Sequence, residues 1–272
     1  MPHFTTSDGL DLFYTDTGSG LPLLCLPGLT RTTQDFQYVT PHLPPCRLIK
    51  MDYRGRGQSQ WDDTWQNYTL PIEIRDVFEL LDHLSIGSVA ILGTSRGGLN
   101  AMGIAATAPD RLVGAALNDV GPELDSAGLA NIMVYLGRRP TARTFDDAAK
   151  AMRGALQGFD NVPDARWLQE AHTHFVETKD GLDFTYDPKL RDAVDSGGEI
   201  PDLWPFFDAL AGKPTCLIRG AGSDLLSAKT AQNMQARRPD MVFAKIPDRG
   251  HIPFLDEPKA IAALHTWMEM MT

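Results

Sequence analysis

The most constraining stretch of the chain runs from Ser88 to Thr107. Ser88–Gly93 (SVAILG) is a continuous apolar run. It is too short for a core helix and is patterned for a strand covered on both faces. Gly93-Thr94-Ser95-Arg96-Gly97 follows at once. Gly97–Thr107 then supplies a helix rich in alanine and other small residues. A buried strand, a glycine-flanked turn and a small-residue helix form half of a βαβ unit, which commits the chain to a largely parallel sheet.

The rest of the sequence supports that commitment. Strand patterns occur at Leu10–Thr15, Leu21–Leu26 (LPLLCL), Arg47–Met51 and Leu112–Leu117. Leu70–Leu84 carries Ile74, Val77, Phe78, Leu81 and Leu84 at helical spacing. Between residues 121 and 211 the rhythm changes. Helical patterns at Ala127–Leu136, Phe145–Leu156 and Ala165–Val176 replace it, with Asp125, Asp146 and Asp164 near their N-termini. The α/β alternation then resumes with strands at Pro214–Gly220 and Met241–Ile246 and helices at Ala228–Arg238 and Pro258–Met271. The organisation expected is an α/β core of residues 1–120 and 212–272, with 121–211 inserted as a helical cap. A length of 272 residues fits one such domain.

Charge narrows the partners. The net charge is −10, of which residues 121–211 carry −7 from 16 acidic and 9 basic side chains. An acidic chain lacks the basic face that nucleic acid or an anionic membrane requires. The start shows no basic and apolar leader pattern, and no apolar run reaches membrane-spanning length. Three cysteines, Cys25, Cys46 and Cys216, offer neither a disulfide framework nor zinc spacing. A cytoplasmic protein is expected, with no metal and no cofactor. The pattern gives no oligomeric state.

The turn at Gly93–Gly97 has the GxSxG spacing. A serine at a sharp strand-to-helix turn takes a strained backbone, and its neighbours two residues away must be small so that strand and helix can approach. Ser95 is then a candidate nucleophile, and it needs a base. Of the seven histidines, His251 stands just after the last strand, at the same sheet edge as Ser95. It is the expected base. Asp224, following the strand PTCLIRG, is the expected acid. Asp119, at the end of the neighbouring strand, is the alternative. The backbone N–H groups of Arg96 and of Leu29, in the turn Leu26–Thr30, are the expected oxyanion donors.

Together these residues resemble the α/β-hydrolase superfamily over nearly the whole chain. Ser95 matches its nucleophile, and Asp224 and His251 match its acid and base. Leu26-Pro27-Gly28 is similar to its oxyanion turn, and Asp52–Ser59 to the DxRGxGxS segment of its lid-bearing branch. Gly250-His251 and Leu255–Pro258 resemble the closing segment of that branch. The resemblance implies a mostly parallel central sheet with helices on both faces and an inserted helical cap. It also implies acyl-enzyme cleavage of a carboxylic ester in a small neutral molecule. Lactone or carbon–carbon bond hydrolysis, and ligand binding by a receptor on the same fold, are the alternatives. A serine nucleophile departs from haloalkane dehalogenases and epoxide hydrolases, which use aspartate. Arg96 departs from the methionine common in enol-lactonases and carbon–carbon hydrolases; it is expected to pair with an acidic neighbour behind the turn, with a reach into the pocket as the alternative. Gly28, Met133, Tyr135, Trp204, Phe207 and Ile252 are expected to line the substrate pocket. The acidity of 121–211 leans the reading towards neutral substrates.

Overall fold

A computed structural model describes residues 2–198 and 200–272. The chain runs β1 (His3–Thr5), β2 (Asp11–Gly18), β3 (Pro22–Leu26), β4 (Arg47–Met51), α1 (Leu70–His83), β5 (Val89–Thr94), α2 (Arg96–Thr107) and β6 (Leu112–Asn118). There follow α3 (Ser126–Tyr135), α4 (Phe145–Ala155), α5 (Asp164–His174), β7 (Phe175–Thr178), β8 (Gly181–Phe184), α6 (Leu190–Asp195) and α7 (Trp204–Asp208). It closes with β9 (Thr215–Gly220), α8 (Ala228–Arg237), β10 (Val242–Ile246) and α9 (Pro258–Glu269).

Eight strands form one sheet in the order β1-β2-β4-β3-β5-β6-β9-β10. The β1–β2 and β2–β4 pairs are antiparallel, and every later pair is parallel. The parallel sheet is what the sequence pattern implied, and the α/β-hydrolase fold is what the resemblance implied. The continuous apolar runs have a simple reason. Successive side chains of a strand point to opposite faces, and both faces are covered. Leu24, Leu26, Ile91 and Leu117 pack with α1 and α2 through Val77, Leu80, Ala101 and Ile104. Their neighbours Leu23, Cys25, Ala90, Leu92 and Ala116 pack on the other face with Leu264 and Trp267 of α9. A fully buried leucine or isoleucine contributes up to about 3 kcal/mol through burial. All six β5 positions are buried, so a polar side chain there needs a partner, as Thr94 Oγ1 has in Asn118 Nδ2, 3.2 Å.

The segment between β6 and β9 contains α3, α4 and α5 where the helical periodicity implied three helices, and also the short α6 and α7 and a two-stranded antiparallel hairpin, β7–β8, which it did not. The helical spacing runs on through Phe175 and Val176, whereas the structure ends α5 at His174 and gives those two residues to β7. Lys179-Asp180-Gly181 makes the hairpin turn, with Gly181 at φ +110°. The Asp-Gly pair was the available signal. No helix among the described residues is long and apolar enough to cross a membrane.

A buried ionic network stands under the sheet edge. Glu73 of α1 is fully buried. Its carboxylate faces the Arg96 Nε at 2.7 Å and the Arg56 Nη2 at 2.9 Å. Burial works to raise the Glu73 pKa, but the Arg96 and Arg56 guanidiniums outweigh it and hold the group below the usual carboxylate range. Arg56 in turn donates from Nε to the Leu29 carbonyl, 2.9 Å, and from Nη1 to the Arg54 carbonyl, 2.7 Å. Removing one partner of a buried ion pair leaves the other desolvated and uncompensated, at a cost of about 3–5 kcal/mol. Glu73→Leu is therefore expected to destabilise the fold by that amount, read as a lower urea or thermal midpoint. A midpoint unchanged within error would refute the role given to this network.

Candidate active site

The carboxyl ends of β3, β5, β6, β9 and β10 meet at one edge of the sheet, the side on which open α/β sheets place their ligands. Ser95 stands there with φ +49° and ψ −112°. This is a conformation that non-glycine residues adopt only under constraint. The constraint is close packing. A Cβ on Gly93 would fall 2.4 Å from the Gly97 backbone, and one on Gly97 would fall 2.0 Å from the Leu26 carbonyl oxygen. Both glycines of the GxSxG spacing are thus required by contact between strand, turn and helix.

Ser95 Oγ lies 3.1 Å from Nε2 of His251, and Nδ1 of His251 lies 2.8 Å from Oδ2 of Asp119. Asp119 is fully buried. A carboxylate at Nδ1 fixes the proton on that nitrogen and leaves Nε2 to accept from the serine. The acid position is where the structure corrects the sequence reading. Asp224 does not meet His251. Its Oδ2 accepts from Asn131 Nδ2 of α3, 2.7 Å. The reason is the neighbourhood of β6 and β9. Asn118 pairs with Ile218 across these strands, so Asp119, one residue on, comes level with Arg219, and its carboxylate reaches the Gly220 N–H at 2.8 Å. The chain leaving β9 turns back, with Ser223 N–H on the Gly220 carbonyl, 3.1 Å. That turn aims Ser223 at Asp119 and carries Asp224 towards α3.

Arg96 points behind the turn. Besides Glu73 it reaches the Tyr68 carbonyl, 3.2 Å, as the pairing expected from the sequence required. Its backbone N–H is the first of α2 and lies outside the helical hydrogen-bond ladder. Gly28 closes on the nucleophile: a Cβ there would stand 3.8 Å from the Ser95 Cβ. The Leu29 N–H donates to no protein acceptor among the described residues. The Leu29 side chain packs against Tyr68, Leu136, Tyr186 and Leu190, as does Met133.

The remaining lining residues divide. Ile252 borders a small cavity shared with Arg31, Asp35, Thr94, Asn118 and Glu170. Tyr135 is exposed at the end of α3. Trp204 and Phe207 are not brought to Ser95. Phe207 is fully buried in the main core. Trp204 stacks under Arg237, 4.1 Å, and donates from Nε1 to Glu123, 2.8 Å. Their short helix packs on α2 at the side of the sheet, so aromatic residues here serve the core.

A second charged group beside the site was not foreseen. Arg31, two residues after Leu29, pairs with Asp35 and with Glu170 of α5, the latter at 3.1 Å. Burial pushes the Asp35 carboxyl up to about 6. Burial, aided by the Arg31 charge, pushes His174 down to about 4, and its Nδ1 sits 2.6 Å from the Glu170 carbonyl. These residues tie the turn after β3 to α5. Their scatter over 143 positions left no local motif to find. Among the described residues, no three or more His, Cys, Asp or Glu side chains are grouped to hold a metal ion.

Comparison with known proteins agrees with this architecture. The model of the Alpha/beta hydrolase family matches residues 23–264. A 3-hydroxybutyrate-oligomer hydrolase of Cupriavidus necator is 34% identical over 253 residues, 88% of this chain and 85% of its own length. A putative 2-succinyl-6-hydroxy-2,4-cyclohexadiene-1-carboxylate synthase of Bacillus subtilis is 30% identical, covering 94% of each chain. The crystal structure of an alpha/beta hydrolase from Novosphingobium aromaticivorans superposes with a TM-score of 0.93 at 36% identity, over 98% of this chain and 97% of that one. With its sheet order, its strained serine turn and these likenesses, the chain belongs to the Alpha/beta hydrolase family.

Proposed function

We propose that the protein is a serine hydrolase of carboxylic esters, working through an acyl-enzyme. The observation that carries this reading is the unbroken line Ser95–His251–Asp119. In this mechanism His251 Nε2 takes the Ser95 proton as Oγ attacks the ester carbonyl. The N–H groups of Leu29 and Arg96 hold the oxyanion. The imidazolium, stabilised by Asp119, returns the proton to the departing alcohol. Water then attacks the acyl-enzyme with His251 again as base, releasing the acid and free Ser95. The segment 121–211 acts as a cap over this edge. Its Asn131 already meets the edge at Asp224.

The relative from Cupriavidus necator makes esters of 3-hydroxybutyrate the first substrates to test. The −7 charge of residues 121–211 works against anionic substrates at low salt. A neutral ester is therefore the better substrate.

The test is a substrate panel: p-nitrophenyl acetate and butyrate, the 3-hydroxybutyrate dimer as free acid and as methyl ester, a lactone and a vinylogous diketone. Esters are expected to turn over fastest, and at low salt the methyl ester faster than the free acid. Dominant lactone or diketone cleavage would overturn the ester reading. No turnover, with a ligand still raising the melting temperature, would favour a receptor. The acid assignment has its own measurement. Ser95→Ala and His251→Ala are expected to abolish ester turnover, and Asp119→Asn to lower kcat by about 10³–10⁴-fold. Asp224→Asn is expected to retain most of it. The reverse ranking of the two aspartate variants would return the acid to Asp224.

A further inference from the structure

Asp119 is held by more than His251. Its Oδ2 also accepts from Ser223 Oγ, 2.6 Å, and its Oδ1 accepts from the Gly220 N–H, 2.8 Å. Both added donors come from the turn that leaves β9, where the sequence had placed the acid itself.

That turn is fixed on several sides. Leu226 N–H donates to Ser223 Oγ, 3.1 Å. With that lone pair occupied, the single hydroxyl hydrogen is directed to Asp119. Gly222 N–H donates to the Arg249 carbonyl, 2.9 Å. Gly220 packs so closely on the histidine loop that a Cβ would fall 2.3 Å from the Gly250 carbonyl oxygen. Arg219, buried beneath, donates from Nε to the Leu226 carbonyl, 2.8 Å. The turn is thereby clamped between the strand end that carries Asp119 and the loop that carries His251.

Torsion about the last bond of an aspartate is soft, without sharp staggered wells. Without Ser223, the Gly220 N–H would be the one anchor independent of the histidine, and carboxylate and imidazole could swing together about it. A second anchor on the other oxygen defines its plane. Ser223 provides it on Oδ2, the oxygen that faces His251 Nδ1.

We propose that Ser223 is a positioning residue, whose hydroxyl fixes the plane of the Asp119 carboxylate so that Oδ2 stays aimed at His251 Nδ1. This rests on the Ser95–His251–Asp119 reading of the site. Ser223 touches no reacting atom, so its whole effect must pass through Asp119.

That requirement supplies the experiment. The readouts are the rate of Ser95 phosphonylation by a fluorophosphonate, and kcat and KM on p-nitrophenyl butyrate. They are compared for wild type, Ser223→Ala, Ser223→Thr, Asp119→Asn and the Ser223→Ala/Asp119→Asn pair. Loss of a hydrogen bond to a charged group predicts that Ser223→Ala lowers kcat and the phosphonylation rate about tenfold, with KM unchanged. Ser223→Thr, which keeps the hydroxyl, is expected to restore most of both rates. In the Asp119→Asn background, Ser223→Ala is expected to change them less than about twofold, because the carboxylate it serves is gone. Losses that multiply in the pair would overturn the proposal. So would a Ser223→Ala protein labelled as fast as wild type. If Ser223→Ala does not fold, an active Ser223→Val protein at wild-type rates would overturn it as well. A wild-type protein that fluorophosphonate never labels would overturn the reading of the site itself. Normal wild-type labelling with an unimpaired Ser223→Ala protein would remove only the role of Ser223.

Discussion

One buried carboxylate organises the centre of this molecule. Glu73 sits between Arg56 and Arg96 with no exposure to solvent. Arg56 extends the connection to the Leu29 carbonyl, and Arg96 is the residue after Ser95. The turn that closes β3 and the turn that closes β5 are thus referred to the same point on α1. A proposed oxyanion site needs its two N–H groups at a fixed separation, because their contribution depends on preorganisation rather than on adjustment during reaction. The Glu73 network supplies such a reference from behind the sheet edge, leaving the front open to a substrate.

The same arrangement explains what could be read from the sequence. The parallel core was legible because burial on both faces leaves continuous apolar runs at Leu23–Leu26, Val89–Leu92 and Ala115–Leu117. Ser95 was legible because the contacts at Gly93 and Gly97 tolerate no side chain. Arg96 stood out against the methionine common in enol-lactonases and carbon–carbon hydrolases, and in the structure it pairs with Glu73. The partner of His251 was not legible in the same way. Chain order favoured Asp224, but which carboxylate meets the histidine depends on how the chain leaves β6 and β9 in space. Asp119 at φ +58° and the turn at Gly220–Ser223 settle that geometry, and neither has a signature in one dimension. The aromatic residues of α7 failed for a related reason. Helical spacing identifies an apolar face without saying whether a core or a pocket receives it.

Asp224 still has a place in this account. Its carboxylate binds Asn131, and a Cβ added to Gly128 of α3 would strike the Asp224 carbonyl oxygen at 2.7 Å. The loop after β9 therefore faces two ways. Ser223 and Gly220 look towards the histidine side, and Asp224 looks towards the first helix of the intervening segment.

The seat of Asp119 at the end of β6 carries a consequence for how such a chain can change over generations. Gly28, Ser95 and Asp119 all precede the segment 121–211 in the chain, and β3, β5 and β6 are adjacent in the sheet. Of the three proposed catalytic residues, Ser95, Asp119 and His251, only His251 arrives from beyond it. Under the proposed cap and triad, insertions, deletions and drift within residues 121–211 can reshape the cover of the sheet edge while the relation of Ser95 to Asp119, set by two neighbouring strands, is left undisturbed. An acid on β9 would instead have placed both proposed partners of Ser95 downstream of that segment. The proposed chemistry and the proposed enclosure are thus inherited, in large part, on separate stretches of sequence.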